Sequence, residues 1–172
     1  MTSKKLLLGI TLFLASQTLH AQNREAVKYN NTVIKEQHSV TPLIVSFFHN
    51  HFKKHIAPAI IKREKEKIEL KLDKGIARLQ AMDGFEGDTK LRDAAIEWFK
   101  LYKRSFDIEY EEVIPILTKK DKTEDDKMKL KALREKLLSE EEAIDIKFEK
   151  EQEDFAAKHK LTFETPANQS SL

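Results

Sequence analysis

The densest concentration of potential metal ligands lies in Phe47-Phe48-His49-Asn50-His51-Phe52-Lys53-Lys54-His55. His51 and His55 are four residues apart, a spacing that stacks both rings on one helix face and suits a shared zinc or nickel ion. A closed site needs two further ligands. His49 projects from another face, and His38 lies about three and a half turns away. Surface histidines at a helix end, complementing the dipole in their cationic form, are the plainer alternative. Di-metal carboxylate chemistry in helical bundles uses Glu-x-x-His pairs. The residues three before His38, His49, His51, His55 and His159 are Lys35, Ser46, Phe48, Phe52 and Ala156, so that motif is missing.

A second group consists of polar residues on apolar seams. Asn30 and Gln37 fall among Val27, Val33, Val40 and Ile44 at heptad-like spacing. Glu141 and Gln152 interrupt Leu137, Ile144, Phe148 and Phe155, and Glu109 and Glu112 occupy positions expected to face inward. Such residues either line a pocket able to do acid–base work or form a hydrogen-bonded layer that fixes helix register. No nucleophile or orienting histidine accompanies the carboxylates, which favours the core polar layer and a chain with no catalytic residues. Phe47, Phe48, Phe52, Trp98, Phe99, Tyr102 and Phe106 recur at helical spacing and read as core rather than as a cofactor cleft. No cofactor is expected, and neither a phosphate-cradling loop nor a dinucleotide fingerprint occurs.

The third group is Gly84-Phe85-Glu86-Gly87-Asp88-Thr89, followed by Arg92 and Asp93. Gly84 and Gly87 suit a tight turn. Asp88 or Thr89 can cap the next helix, and Arg92 and Asp93 can tie the loop to a neighbour. Recognition of a partner by Gly87, Asp88, Thr89, Arg92 and Asp93 is the alternative, and the two roles are compatible.

The elements that must carry these groups are helices. Charged residues make up 35% of the chain, mostly Lys and Glu, and Gly and Pro number four each, which favours long helices with few breaks. The spacing predicts rods over about 23–54, 57–82, 88–117 and 123–160. Pro42 is expected to kink the first and Pro115 the last turn of the third. Gly75 weakens the second. Thr123-Glu124-Asp125-Asp126 is a capping-box signature with Asp in place of Glu. Short links between long amphipathic helices imply an all-α, antiparallel up-down-up-down four-helix bundle over residues 22–161, with 162–172 a flexible tail.

Residues 1–21 read as a secretory signal peptide. Lys4-Lys5 precedes the apolar run Leu6–Ala15, and a polar exit leads to Ala21, where cleavage is expected. The run is about half a bilayer span, so the mature chain should carry no transmembrane span. The whole sequence has 31 Lys+Arg and 29 Asp+Glu; losing Lys4 and Lys5 leaves 29 of each. A neutral mature chain has no global field to gather nucleic acid. With no cysteines, it forgoes disulfides and thiolate metal sites.

Three stretches together resemble a family of uncharacterised bacterial secreted and surface proteins typified by a leptospiral surface protein. They are 29–37, Phe85-Glu86-Gly87-Asp88-Thr89-Lys90-Leu91-Arg92-Asp93-Ala94-Ala95 with Tyr102-Lys103 and Glu109-Tyr110, and 151–159. The Gly-Asp-Thr-x-Leu-Arg-Asp-Ala-Ala segment is the most specific of them. The resemblance implies export and a helical bundle and names no reaction. The expected function is a non-enzymatic module, periplasmic or at the surface, that binds an unknown protein or envelope component. The alternative is a bundle that binds metal or a small ligand through His51 and His55 or the Glu109/Glu112/Glu141 group.

Overall fold

A computed structural model describes residues 15–16, 21–51 and 57–163, and among them the chain is all-helical apart from one two-residue pairing. The helices are α1 (Ala21–His51), α2 (Pro58–Gln80), α3 (Lys90–Arg104), α4 (Tyr110–Leu117) and α5 (Glu124–Lys158). A π-helical turn, Ser105–Glu109, joins α3 to α4, so 90–117 forms one rod and the described residues form four.

Local chemistry explains most boundaries. Pro58 begins α2, where its missing N–H is not needed. At the start of α5 the Asp126 amide donates to the Thr123 hydroxyl (3.2 Å), while the Thr123 amide donates to the Asp126 carboxylate (3.0 Å). The predicted capping box is therefore present with Asp in the Glu position. α5 ends in a Schellman motif: the Leu161 amide donates to the Ala156 carbonyl at 2.8 Å, and the Lys160 amide to Ala157. Lys160 takes the left-handed conformation (φ 54°) usually filled by Gly, so the sequence carries no obvious stop signal there. α1 runs on through Pro42, whose ring is exposed. Its lost hydrogen bond is to the carbonyl of His38, an exposed residue that water can reach.

Thr162–Phe163 (β2) pairs antiparallel with Ala15–Ser16 (β1), inside the expected leader, and the rest of the expected tail, 164–172, lies outside the described residues. One expectation needs correction. The π turn, closed by the Tyr110 amide on the Ser105 carbonyl, was not legible in the sequence. Each residue of an α-helix turns the chain by about 100°, so the wider turn retards every position that follows. Glu109 and Tyr110 are consequently buried side by side, Val113 takes the next inward position, and Glu112 is exposed. Glu112 is therefore not part of a core polar layer.

α3 is the central rod, packed against α1, α2 and α5. It buries Leu91, Ala94, Ala95, Ile96, Trp98, Phe99 and Tyr102. Around it lie Ile34, Val40, Ile44 and Phe47 of α1, Ile61, Ile68, Leu72 and Leu79 of α2, and Phe148 and Phe155 of α5. The Phe47 ring meets Phe106 and Tyr110 edge-on, at 5.1 and 5.5 Å between centroids.

Gly75 decides how closely α2 approaches α3. A Cβ at that position would lie 2.2 Å from Cε1 of Phe99, well inside contact distance. Glycine inside a helix costs about 1 kcal/mol relative to Ala, so on propensity alone Gly75→Ala would stabilise the chain. Overpacking of a full core costs about 1–3 kcal/mol and opposes that gain. We expect Gly75→Ala to lower the melting temperature, and Phe99→Leu in the same chain to recover part of the loss. Thermal melts followed by circular dichroism check the sign; a rise in Gly75→Ala would refute the close approach.

Candidate functional site

The residues of the 84–93 loop are held by one another and by α5. Glu86 (φ 52°) and Gly87 (φ 81°) are the two central residues of a tight turn closed by reciprocal backbone bonds between Phe85 and Asp88, both 2.9 Å. Two consecutive positive φ angles define a type I′ turn, for which Gly suits the second place. Asp88, not Thr89, supplies the cap: its Oδ1 accepts from the Lys90 amide at 3.1 Å and its Oδ2 from Lys158 Nζ of α5 at 2.8 Å. The Lys158 ammonium, together with that amide, holds the Asp88 carboxyl below its usual range. The Thr89 hydroxyl turns to Asp93 instead. Arg92 donates from Nη1 to the Met82 carbonyl (2.7 Å) and from Nε and Nη2 to Asp93 Oδ1 (2.9 and 2.8 Å). Arg92 thereby joins the exit of α2 to the first turn of α3.

Under this loop lies an aromatic cluster. The Tyr29 ring stands 5.5 Å from both Phe85 and Phe155, and His159 packs on Phe85 (4.8 Å) and Phe155 (4.5 Å). Burial there lowers the His159 pKa, since the imidazolium is the form penalised by desolvation.

The structure brings two of the predicted polar-layer residues together. Gln152 Nε2 of α5 donates to Asn30 Oδ1 of α1 at 3.0 Å, with both side chains buried. Gln37 is buried two turns further along α1. The Asn30–Gln152 bond is therefore a cross-tie between α1 and α5.

Glu109 and Glu141 belong to a different arrangement, a row of polar contacts between α5 and the 90–117 rod. Lys147 meets Glu97, the Trp98 indole Nε1 donates to Asp145 Oδ1 (3.0 Å), and the Tyr102 hydroxyl donates to Glu141. Further along, Arg104 meets Glu140, and Lys136 Nζ donates to Glu109 Oε1 at 2.8 Å. Asp145, Lys136 and Arg104 escaped sequence reasoning because charged residues on a Lys/Glu-rich helix look like solvated face. The one available signal was Asp145 standing four residues after Glu141, directly beneath it on the same face.

Within this row the electrostatics divide. Burial pushes the Glu109 carboxyl up, but Lys136 and Arg104 outweigh it and the net effect is a lowered pKa. Burial raises Glu141, against the Tyr102 hydrogen bond. Asp145 is raised to about 6 by burial and by the negative charges of Glu141 and Glu149, against the Trp98 hydrogen bond. Tyr102 and Tyr110 are pushed well above the ordinary phenol value, first by burial and then by the Glu141 charge. A carboxyl poised near neutrality can move protons in principle. Here both carboxylates are engaged by donors on the facing helix.

Of the predicted metal pair, His55 and the side chain of His51 lie outside the described residues. Among the described residues no three His, Cys, Asp or Glu side chains converge on one point.

Truncating one partner of a buried hydrogen-bonded pair leaves the other unsatisfied, at a cost of about 1–3 kcal/mol. Gln152→Ala and Asn30→Ala should each destabilise by about that much, and the double variant should fall well short of their sum. A double-mutant cycle from urea denaturation measures the coupling; strict additivity would mean that the pair does not interact. Compared with known protein families, with curated proteins and with solved structures, the chain finds no match in any of the three.

Proposed function

We propose that this chain is an exported, non-enzymatic helical module that holds a protein or envelope partner, with residues 1–21 removed after Ala21 and the four rods running up, down, up and down as antiparallel neighbours. The order of the contacts supports that topology. Along α3 to α4, residues 97, 98, 102, 104 and 109 meet 147, 145, 141, 140 and 136 of α5, one series rising as the other falls. Lys65 pairs with Glu111, Asp73 with Lys103, and Gly75 lies against Phe99, again in opposite order for α2. α1 and the third rod rise together, Tyr29 meeting Phe85 and Phe48 meeting Tyr110.

The non-enzymatic reading is supported by how the acid–base residues are used: Glu141, Asp145 and Glu109 each bind a donor on the neighbouring rod. Removal of the leader is compatible with the fold, because Ala15–Ser16 contributes a two-residue ladder to the end of the chain and α1 begins at Ala21.

The observation that carries the binding role is the outward face of α5. Met128 and Ile146 are each 60% exposed. Eighteen residues make about five turns, so the two side chains lie on the same side of the helix. Exposed Ala132, Ser139 and Ala143 lie along that side between them, together with exposed Glu135 and Glu142. Apolar ends with small residues and two carboxylates between them suit a partner surface that is apolar with basic groups.

Two measurements test the proposal. Mass spectrometry of the exported protein should give a chain beginning at Gln22; an intact leader on exported material removes the export reading. A chain with Met128→Glu and Ile146→Glu should melt as the wild type does, because exposed substitutions change stability by only about 0.5 kcal/mol. Its photo-crosslinked yield with envelope protein, from a probe at Ala132, should drop about tenfold or more. An unchanged yield would refute α5 as the binding face.

A further inference from the structure

The middle of α5 is attached in an unusual way. Between Asp126 and Phe148 none of its residues is buried, whereas Phe148, Gln152, Phe155 and Ala156 are buried in its last turns. Apart from partly covered Leu130, Leu133, Leu137 and Ile144, that stretch is fastened by the polar row described above. Three members of the row are ion pairs with substantial exposure on at least one side: Lys147–Glu97, Arg104–Glu140 and Lys136–Glu109. Exposed pairs contribute little. The two most enclosed contacts are Asp145 on Trp98 and Glu141 on Tyr102, one helical turn apart on the same face.

We propose that the seam between α3 and α5 is a pH-set clasp, closed in mildly acidic surroundings, whose two neighbouring carboxyl groups, Asp145 and Glu141, loosen the 139–147 stretch of α5 when the medium becomes neutral.

The groups that face this pair are identifiable. From α3 come the Trp98 indole N–H and the Tyr102 hydroxyl, each donating one hydrogen bond. From α4, buried Tyr110 feels the Glu141 charge. From α5 itself, Glu149 adds a third negative charge near Asp145. Partial burial withholds the water that would stabilise the Asp145 carboxylate, and the charges that raise this carboxyl are those of Glu141 and Glu149, Lys147 being paired with Glu97. When both groups are ionised, like charges repel across one helical turn and must be desolvated together. When they hold protons, the same contacts are neutral and the two hydrogen bonds remain.

The direction follows from proton linkage. Asp145 is raised in the folded state, and Glu141 likewise, so the folded seam binds more protons than an opened one between the ordinary carboxyl range and about 6. Its contribution is complete below the unfolded pKa and is lost as pH rises through about 6. Glu109 behaves oppositely: lowered when folded, it contributes above the ordinary carboxyl pKa and fails only in stronger acid. The contact with Lys136 therefore holds at neutral pH, and loosening is confined to the stretch C-terminal to it.

Trp98 is the only tryptophan in the sequence, so its emission reports on this seam alone. In the full chain, emission should shift to longer wavelength between pH 5 and 7.5 with a midpoint near 6. Hydrogen-exchange protection, corrected for the intrinsic rate, should fall about tenfold over 139–147 in that interval and stay constant over 148–156. Asp145→Asn should abolish the transition and keep acid-level protection at pH 7.5; Glu141→Gln should move the midpoint to lower pH. Glu97→Gln, which alters an exposed pair of the same row, should leave the midpoint in place. A flat titration, a transition that survives Asp145→Asn, or constant protection over 139–147 would overturn the clasp.

Discussion

The rest of the fold depends on α3 having little surface to offer to water. Adjacent residues Trp98 and Phe99 are both buried and project about 100° apart, so they serve different neighbours. Phe99 lies over Gly75 and sets the spacing to α2, while Trp98 reaches Asp145 and sets the position of α5. Ala94 and Ala95 lie one turn earlier, small enough to let neighbouring rods close in. Changing the separation on one side of α3 would shift the donors presented on the other. The apolar spacing of the α2 seam and the polar row of the α5 seam are thus two outcomes of one constraint.

Where sequence reading succeeded, the information was local. Pro58, the Thr123–Asp126 capping box and the 3.6-residue periodicity each act within a few residues, and each gave the right element. Where it failed, the decisive contact was between rods. A lone Gly75 weakens a helix by propensity; only the Phe99 ring pressed on it reveals why it stands there. The π turn adds a residue to one turn without any change in composition, and with it Glu112 swung outward. Asp145 looked like a solvated charge because its partner is a tryptophan forty-seven residues away.

The 84–93 loop shows the middle case. Its residue types were legible as caps and ties, but the assignment within them was not. Asp88 takes the capping role while the Thr89 hydroxyl goes to Asp93, because Asp88 also has to meet Lys158 from α5. Arg92 spans from α3 to the last carbonyls after α2, which fixes the angle between consecutive rods. Asp88, Thr89, Arg92 and Asp93 are thus occupied in holding three helices at one end of the molecule.

The two ends of α5 and its middle obey different physics. At its C-terminal end, Phe148, Phe155 and the Asn30–Gln152 tie make an interior whose strength hardly depends on the medium. At its N-terminal end, Lys119 and the capping amide of Thr123 hold Asp126 to a pKa of about 2, so that anchor persists through ordinary acid. Between them, a helix with so many Lys and Glu residues cannot supply a continuous apolar stripe, and carboxylates meet aromatic donors instead. Buried polar contacts of this sort add little net stability but are demanding about geometry and protonation. A helix pinned at both ends and joined by titratable contacts between them can respond to its surroundings without unfolding. That property follows from the distribution of apolar residues along α5, and it would survive changes to the exposed face so long as Trp98, Tyr102, Glu141 and Asp145 remained opposed.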